Sequence, residues 1–372
     1  MTTIQWPAEG FRRAPYHVYL DPDNYEREQV RLFRGPIWHF LALEAELPDP
    51  GDFKTTQVGN TPLVVTRAED GSLHAFVNRC AHRGALVCLE LSGKARKDFT
   101  CVYHAWSYDL RGQLASAAFR RGIRGQGGLP EDFQLEHHGL ERLRVDTLHG
   151  VIFGTFSADT EPLKDYISTE VAEGFRRVLG RPIRILGYDS QIINANWKTY
   201  HENTRDTYHA NILHTFFGTF GMSRQSQESA VVYAPSGRHY YTYTKRGTEV
   251  ESSDYSQTTS MLRSHQSDFR LVEPSLLDWK DEYGDGRSVQ ITTIFPTFVI
   301  HQVGHSLGVR QLIPQGPHRT ELIYTYFGYA DDTPDMTEKR LRYINQAAAI
   351  ALMVFGVALI GQQLLRSLGK IA

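Results

Sequence analysis

Two short loops constrain this chain more than anything else in its 372 residues. Cys80-Ala-His82 and Cys101-Val-Tyr-His104 each place one thiol and one imidazole in a tight turn, with 18 residues between His82 and Cys101. A lone histidine is more often a satisfied core or surface residue than a ligand. Four ligand-type side chains in two matched loops are a Cys2His2 set, and such a set demands that both loops meet in space. A zinc finger groups Cys with Cys and His with His, the second pair on a helix. Here each loop is mixed. The flanking segments FKTTQVG, TPLVVTR, HAFVNR, FTCVYH and WSYDLRGQL alternate with Gly, Asp and Pro turns, which predicts a small antiparallel β domain. Three cysteines in a chain of this length make no disulfide framework. Cys88 lies outside the pattern and reads as a small buried hydrophobe.

Mixed pairs suit a Rieske [2Fe–2S] cluster, in which one iron takes two Cys and the other two His. Zinc is the alternative. Gly84 and Gly112 supply tight turns, and Tyr103, Trp106 and Tyr108 are placed to shield such a cluster.

Ahead of the β domain, residues 1–36 read as an irregular arm and a helix, DNYEREQVRLF, from Asp23 to Phe33 with an Asp or Asn cap. Strand texture starts at Ile37 and ends near Phe156. A helical pattern, DYISTEVAEGFRRVLG, follows, then a strand-like QIINA and a helical stretch from Trp197 to about Thr215. Residues 230–330 return to strands (AVVYAP, HYYTYTK, SVQITTIFPTFVIHQV, LGVRQLIP, TELIYTYFGYA), and a last helix begins after Pro334. The fold class is α+β: an N-terminal antiparallel β domain followed by an α+β domain with a central antiparallel sheet covered by helices. The expected boundaries are 37–157 and 158–372.

The second helical stretch, WKTYHENTRDTYHANILH, contains Glu202, Asn203, Asp206, His209 and His214. Two His and a carboxylate can hold Fe(II) and leave positions open for O2. On an ideal helix Asp206 and His209 share a face, while His209 and His214 stand about 140° apart. They meet at one metal only if the helix loosens, so a π-bulge or break is predicted near Ala210–Asn211. The bland alternative is a capped amphipathic helix with exposed histidines.

Ordinary composition, with 41% hydrophobic and 22% charged residues, argues against a disordered or polytopic membrane chain. A net charge of −2 gives no footprint for nucleic acid. The start, MTTIQWPAEGFRRAP, has no apolar signal region, which sets a cytoplasmic expectation.

The loops NRCAHRGAL and CVYHAWSY and the block ENTRDTYHANILH together resemble the large (α) subunit of Rieske non-haem iron aromatic-ring hydroxylating oxygenases. The resemblance covers about residues 5–345. Through GDFKTT, GQGG at 125–128, TTIFP, VRQLIP and FGYADD it is nearest the aromatic-acid branch, the terephthalate dioxygenase and salicylate hydroxylase type. It makes 37–157 a Rieske [2Fe–2S] domain and 158–372 a catalytic mononuclear-iron domain. It implies that Cys80, His82, Cys101 and His104 hold the cluster and that His209 and His214 bind a catalytic Fe(2+). Asp206 would bridge His209 to His104 of the partner subunit, orienting both rings. A homotrimer of α subunits is implied, often completed by a small β subunit, with an NADH-dependent reductase, with or without a ferredoxin, as electron source. The implied activity is dioxygenase or monooxygenase chemistry in aromatic catabolism. Arg310 in GVRQLIP would grip the substrate carboxylate through its planar fork; the bland reading is a surface Arg on an edge strand.

The family pattern places a third iron ligand, an Asp, beyond the FGYADD strand. Here INQAAAIALMVFGVALIGQQLLRSLGKIA follows, with no carboxylate after Glu338. Gln362 or Gln363 could stand in, Asp331 or Asp332 could move in, or two His and water could hold the iron; the last is the preferred expectation. The resemblance also places a second carboxylate-gripping Arg in that region, so its loss disfavours a dicarboxylate substrate, and an interrupted gene would account for such a tail. Ala347–Gly361 is 15 uncharged, mostly apolar residues, short of the ~20 needed to span a bilayer, so a buried or partner-facing helix is expected. The rival to an oxygenase is an inactive or electron-transfer-only subunit.

Overall fold

The computed structural model describes residues 6–10, 13–214, 217, 219–220, 222–247, 257–258, 260–262, 265, 268, 270 and 274–355. The chain divides into two compact units, Met1–Tyr166 with Ile313–Arg319, and Ile167–Leu312 with Thr320–Ala372.

In the first unit, α1 (Pro22–Glu28) starts at Asp21, whose carboxylate accepts from Asp23 N at 2.8 Å, with Pro22 in the first helical position. A π-helical turn, Gln29–Phe33, continues it. Ten short strands follow: β1 (His39–Leu43), β2 (Phe53–Val58), β3 (Thr61–Arg67), β4 (Leu73–Val77), β5 (Ser92–Gly93), β6 (Asp98–Thr100), β7 (Ser107–Asp109), β8 (Leu114–Ser116), β9 (Arg144–Leu148) and β10 (Val151–Thr155). They form sheets ordered β1-β10-β9, β4-β3-β2-β5 and β6-β7-β8, antiparallel throughout the described pairings. Phe53, Phe76 and Phe99 interlock edge-to-face, with ring centroids 5.3 and 5.9 Å apart. Cys80, Cys88, Cys101, Trp106 and Tyr108 belong to that same apolar cluster. The candidate ligand loops therefore rise directly out of the core.

The second unit is built on one seven-stranded antiparallel sheet. Its strands are β11 (Ile183–Ile193), β12 (Ser229–Tyr233), β13 (Tyr240–Lys245), β14 (Arg287–Ile294), β15 (Phe298–Val303), β16 (Ser306–Pro314) and β17 (Thr320–Tyr329), in the order β11-β17-β16-β15-β14-β13-β12. Consecutive hairpins give the neighbours from β12 to β17, and β11 closes against β17. Helix α2 (Thr169–Leu179) buries Val171, Phe175, Val178 and Leu179; Phe175 meets Phe298 of the sheet. Gly174 allows this approach, since a Cβ there would lie 2.7 Å from the Tyr241 ring. The α+β class and the helix-covered antiparallel sheet agree with the sequence reading.

The long helix expected from Trp197 to Thr215 is two helices. α3 (Trp197–Arg205) is capped by Asn196, whose side chain accepts from Lys198 N at 3.1 Å. It stops at Asp206, which is extended, and α4 (Ala210–Leu213) follows. The break thus falls at 206–209 and not at Ala210–Asn211. Its cause is side-chain competition for backbone groups. The Tyr240 hydroxyl donates to His201 O at 2.8 Å, and Thr204 Oγ1 donates to the same oxygen at 3.0 Å. Asp206 Oδ1 accepts from Tyr208 N at 2.7 Å, turning the chain outward. Thr215 lies outside the described residues.

A last helix, α5 (Pro334–Phe355), packs on β11 and β17. Among the described residues no helix is long and apolar enough to cross a membrane. Residues 356–361 of the apolar run, and Gln362 and Gln363, lie outside the described residues.

Candidate metal centres and their cavity

The first loop is a backbone cradle. Cys80 N donates to Ala85 O at 2.7 Å and Gly84 N donates to Cys80 O at 2.8 Å. Gly84 sits at φ +73°, where a side chain would be strained. Buried Asn78 sews the following segment down: its Oδ1 accepts from Val87 N (3.0 Å) and Cys88 N (2.9 Å), and its Nδ2 donates to Cys88 O (2.8 Å). In the second loop Cys101 N donates to Trp106 O at 2.8 Å, and Ala105 N to Cys101 O at 3.0 Å. Both thiols are buried while His82 is exposed and His104 half-buried.

The two imidazoles converge, with His82 Nδ1 3.1 Å from His104 Nδ1. Two nitrogens ~2.1 Å from one metal at a tetrahedral angle stand ~3.4 Å apart, so this spacing fits a shared ion. Burial, slight as it is, and the His104 and Arg83 charges hold His82 below the usual imidazole range, which favours the neutral, ligating form. Trp106 stacks on His82 at 4.9 Å and Tyr103 lies 3.9 Å from His104. Tyr108, fully buried, places its hydroxyl 3.1 Å from Cys80 Sγ and accepts from Ala81 N at 3.0 Å. Of the three expected shields, Trp106 and Tyr108 are enclosed while Tyr103 remains 59% exposed. Cys88 is buried, and burial pushes its thiol up to about 11, an inert group.

In the second unit, His209 and His214 flank the one-turn α4, and their rings lie 5.2 Å apart. The helix break lies ahead of His209, so the spacing of the two rings is set by the single turn of α4 between them. Both Nδ1 atoms are buried without a hydrogen-bond partner. Burial, then the charges of His209 and Arg310, lower His214 to about 4, so it is neutral and free to ligate. Asp206 Oδ2 lies 3.5 Å from His209 Nδ1, and the Asn203 amide approaches His209 Nε2 at 3.2 Å. Glu202 is drawn away into an exposed pair with Arg205.

These residues open on a cavity of about 430 Å³, within the range of small-molecule sites. Asn203, Asp206, His209, His214, His301 and Arg310 line it, with the phenols of Tyr200, Tyr324 and Tyr326. Arg310 donates from Nη1 to Tyr200 Oη at 2.7 Å and from Nε to His301 Nδ1 at 3.3 Å. Burial acts against its charge, but the Tyr200 and Tyr324 phenols outweigh this and its pKa is raised. It is half-buried in the cavity wall and does not lie on an edge strand; β16 has strands on both sides. Burial, with Tyr200 next, pushes Tyr324 well above the ordinary phenol value, so the phenol ring of the site is neutral.

Asp206 is the only carboxylate among the described lining residues. Asp331 pairs with Arg181 at 2.6 Å and Asp332 with Arg340 at 2.6 Å; neither lines this cavity. Among the described residues no three His, Cys, Asp or Glu side chains converge as one metal site. A cluster of two irons with two protein ligands each needs only pairs, and the described residues bring His82 to His104 and His209 to His214. Sequence reasoning did not single out Tyr200, His301, Tyr324 or Tyr326. The one available signal was the alternation of Tyr324 and Tyr326 in TYTYFGY-like texture on one strand face; Tyr200 and His301 reach the site through tertiary packing alone.

The family described as "Rieske [2Fe-2S] domain" matches residues 37–124. The family described as "Ring hydroxylating alpha subunit (catalytic domain)" matches residues 164–359. The chain is 44% identical over 342 residues to the terephthalate 1,2-dioxygenase terminal oxygenase component subunit alpha 2 of Comamonas sp., covering 92% of this chain and 82% of the relative. It is 45% identical over 344 residues to the anthranilate 1,2-dioxygenase large subunit of Burkholderia cepacia, covering 92% and 80%. A solved structure of naphthalene 1,2-dioxygenase from Rhodococcus sp. bound to indole shares the fold, with a TM-score of 0.73 at 21% identity, covering 89% of this chain and 77% of that one.

Proposed function

Because the chain belongs to the ring-hydroxylating oxygenase alpha-subunit family, we propose that it is the oxygenase component that hydroxylates or cis-dihydroxylates an aromatic carboxylic acid with O2 and electrons from a reductase. The Rieske domain binds a [2Fe–2S] cluster and the catalytic domain binds mononuclear Fe(2+). When bound, these centres supply the electrons and the open metal positions that O2 activation requires. Cys80 and Cys101 would hold one iron of the cluster, and His82 and His104 the other. His209 and His214 would hold the mononuclear ion.

The observation that carries the substrate class is Arg310. It is half-buried, its described hydrogen-bond partners are Tyr200 and the neutral His301, and it faces the cavity that His209 and His214 line. A buried cation without a counter-charge is costly, and an incoming carboxylate provides one in a bidentate pair. The aromatic walls bury the ring and displace water, which fixes the ring's distance from the metal-binding histidines. Asp206, whose Oδ2 lies 3.5 Å from His209 Nδ1, would orient the His209 ring on closing to a hydrogen bond, and in an α trimer it would reach His104 of the partner subunit. That arrangement, an NADH-dependent reductase with or without a ferredoxin, and a small β subunit make up the proposed assembly, with a cytoplasmic location.

A second reading has its own support. Asp206 is already committed to His209, and no other described carboxylate lines the cavity. The chain would then be an inactive or electron-transfer-only subunit. Iron analysis decides between them, together with O2 uptake in the presence of benzoate, salicylate or anthranilate, a reductase and NADH. About three irons per chain (two cluster, one mononuclear) and acid-dependent uptake are expected of the oxygenase. Two irons and no uptake would establish the second reading.

A further inference from the structure

The cavity contains a histidine that neither metal centre uses. His301 lies on β15 directly across from Gly308 on β16. A guanidinium nitrogen can only donate, so at 3.3 Å from Arg310 Nε the His301 Nδ1 is the acceptor. The ring proton then sits on Nε2, which faces Ser306 Oγ at 3.5 Å. The ring has room only because Gly308 stands opposite: a Cβ there would lie 2.5 Å from His301 Cε1. Tyr324 and Tyr326 close on it edge-to-face, with centroids at 6.3 and 5.8 Å. Four residues on the two neighbouring strands β16 and β17 therefore fix one imidazole of β15 against one edge of Arg310.

The chemistry of the acceptor matters. Burial, and after it the Arg310 charge, hold His301 well below the usual imidazole range, so the ring is neutral. A carboxylate at this position would orient Arg310 equally well but would cancel its charge. A neutral acceptor takes the Nε–H and leaves the charge for a ligand. The Tyr200 hydroxyl takes one Nη1–H. The remaining Nη1 and Nη2 donors form the end of the fork that pairs with a carboxylate.

We infer that His301 is a positioning residue: by accepting from Arg310 Nε it aims the Nη1/Nη2 edge of the guanidinium into the cavity and so makes the site select an aromatic carboxylate over its uncharged isostere. The inference rests on the reading of Arg310 as the substrate-carboxylate partner. It adds the residue that sets how that partner is presented.

The test is calorimetric titration of the cluster-loaded protein, without reductase, using benzoate and benzamide as probes. Arg310→Met is expected to abolish the preference for benzoate. His301→Leu, which keeps bulk and removes the acceptor, is expected to weaken benzoate about 5–10-fold and to leave benzamide within about 2-fold. His301→Asn, whose Oδ1 stands near the place of Nδ1, restores benzoate to within about 2-fold of the parent. Gly308→Ala pushes the ring away without removing it and gives an independent loss in the same direction, should the leucine variant fail to fold. If His301→Leu or Gly308→Ala keeps the full benzoate preference while Arg310→Met loses it, the role of His301 is overturned and the carboxylate reading survives. If Arg310→Met binds benzoate as the parent does, the carboxylate reading itself fails.

Discussion

The two ligand-bearing segments are built in opposite ways. In the first unit both loops spring from short antiparallel strands, and their cysteines are part of the apolar core formed by Phe53, Phe76 and Phe99. Backbone hydrogen bonds within six residues shape each loop. In the second unit the histidines sit on either side of a one-turn helix whose position depends on where the preceding helix ends. That end is set by Tyr240 and Thr204, and Tyr240 comes from a strand 39 residues beyond His201. Local geometry made by turns travels with the motif; geometry made by a helix terminus depends on tertiary packing.

The sharpest way to break the comparison is at the first unit's core. Cys80→Ser is expected to abolish the visible absorption of the cluster outright, because a hydroxyl replaces one of the two thiolates that would hold its iron. Cys88→Ser, at the one cysteine outside the loops, leaves the spectrum in place. A retained spectrum in Cys80→Ser would show that the loops do not carry the cluster. The reciprocal probe is Arg340 in the second unit. Fully buried, it pairs with Glu282 Oε2 and with Asp332 Oδ2 at 2.6 Å each, and it donates to His305 O at 3.0 Å. This network fastens the start of α5. Arg340→Met leaves two enclosed carboxylates without their partner, so a loss of about 3–5 kcal/mol is expected, read by urea unfolding with the cluster spectrum as the control on the other unit.

The two units also differ in how acid reaches them. His39 of the first unit is fully buried with neither ring nitrogen hydrogen-bonded, and burial pushes it down to about 3. Above pH ~6.5 it is neutral folded or unfolded. Below that, only the unfolded chain takes up the proton, so stability falls by up to about 1.4 kcal/mol per pH unit until the folded value is reached. Glu282 and Asp332 of the second unit have folded pKa values held below the ordinary range: burial opposes this, but the hydrogen bonds from His305 and Arg340 prevail. Their contribution is intact above the usual carboxylate values and is lost only as pH falls through the lowered ones. Between pH ~6.5 and ~4.5 the first unit should therefore lose hydrogen-exchange protection through His39, whereas any loss in the second unit comes from the buried His201, His214 and His301 and not from these carboxylates. His39→Phe, which can still stack on Phe33 as His39 does at 5.9 Å, should flatten the first unit's response; an unchanged slope would assign the acid sensitivity elsewhere.

Legibility in the sequence followed the same divide. The strands, the α+β class and the four loop residues were readable because alternation, turn residues and mixed Cys/His spacing are local signals. His209 and His214 were readable as a candidate pair from residue type, while the break that helix geometry asked for between them lies ahead of His209 instead. The place of the break was not readable, because Tyr240 and Thr204 take the His201 carbonyl only once the sheet has formed. Arg310 was readable as a candidate. Its enclosure among Tyr200, His301 and Tyr324 was not, since those residues come from a helix and two strands that only the folded sheet brings together. Asn78, whose three bonds pin the first loop, carried no signal beyond being a polar residue at a strand end.

Asp206 tests whether the second segment's chemistry depends on orientation as much as on ligands. Its Oδ1 holds Tyr208 N and so shapes the break, while its Oδ2 lies 3.5 Å from His209 Nδ1. Asp206→Asn retains an oxygen for the Tyr208 amide but replaces the charge beside His209 with a neutral amide. The turn should survive, so fold and cluster spectrum should match the parent. What is lost is the carboxylate that fixes the His209 tautomer and ring orientation, an effect of about 10–100-fold in metal affinity or turnover. The measurement is Fe(II) retention under dialysis alongside acid-dependent O2 uptake, with visible absorption as the control. Weakened iron retention with an intact cluster spectrum places the role at His209 within the chain. Normal retention with blocked uptake places it in passage of the electron from the partner subunit. Survival of both would mean that the second segment, unlike the first, draws nothing from the residue nearest its ligand.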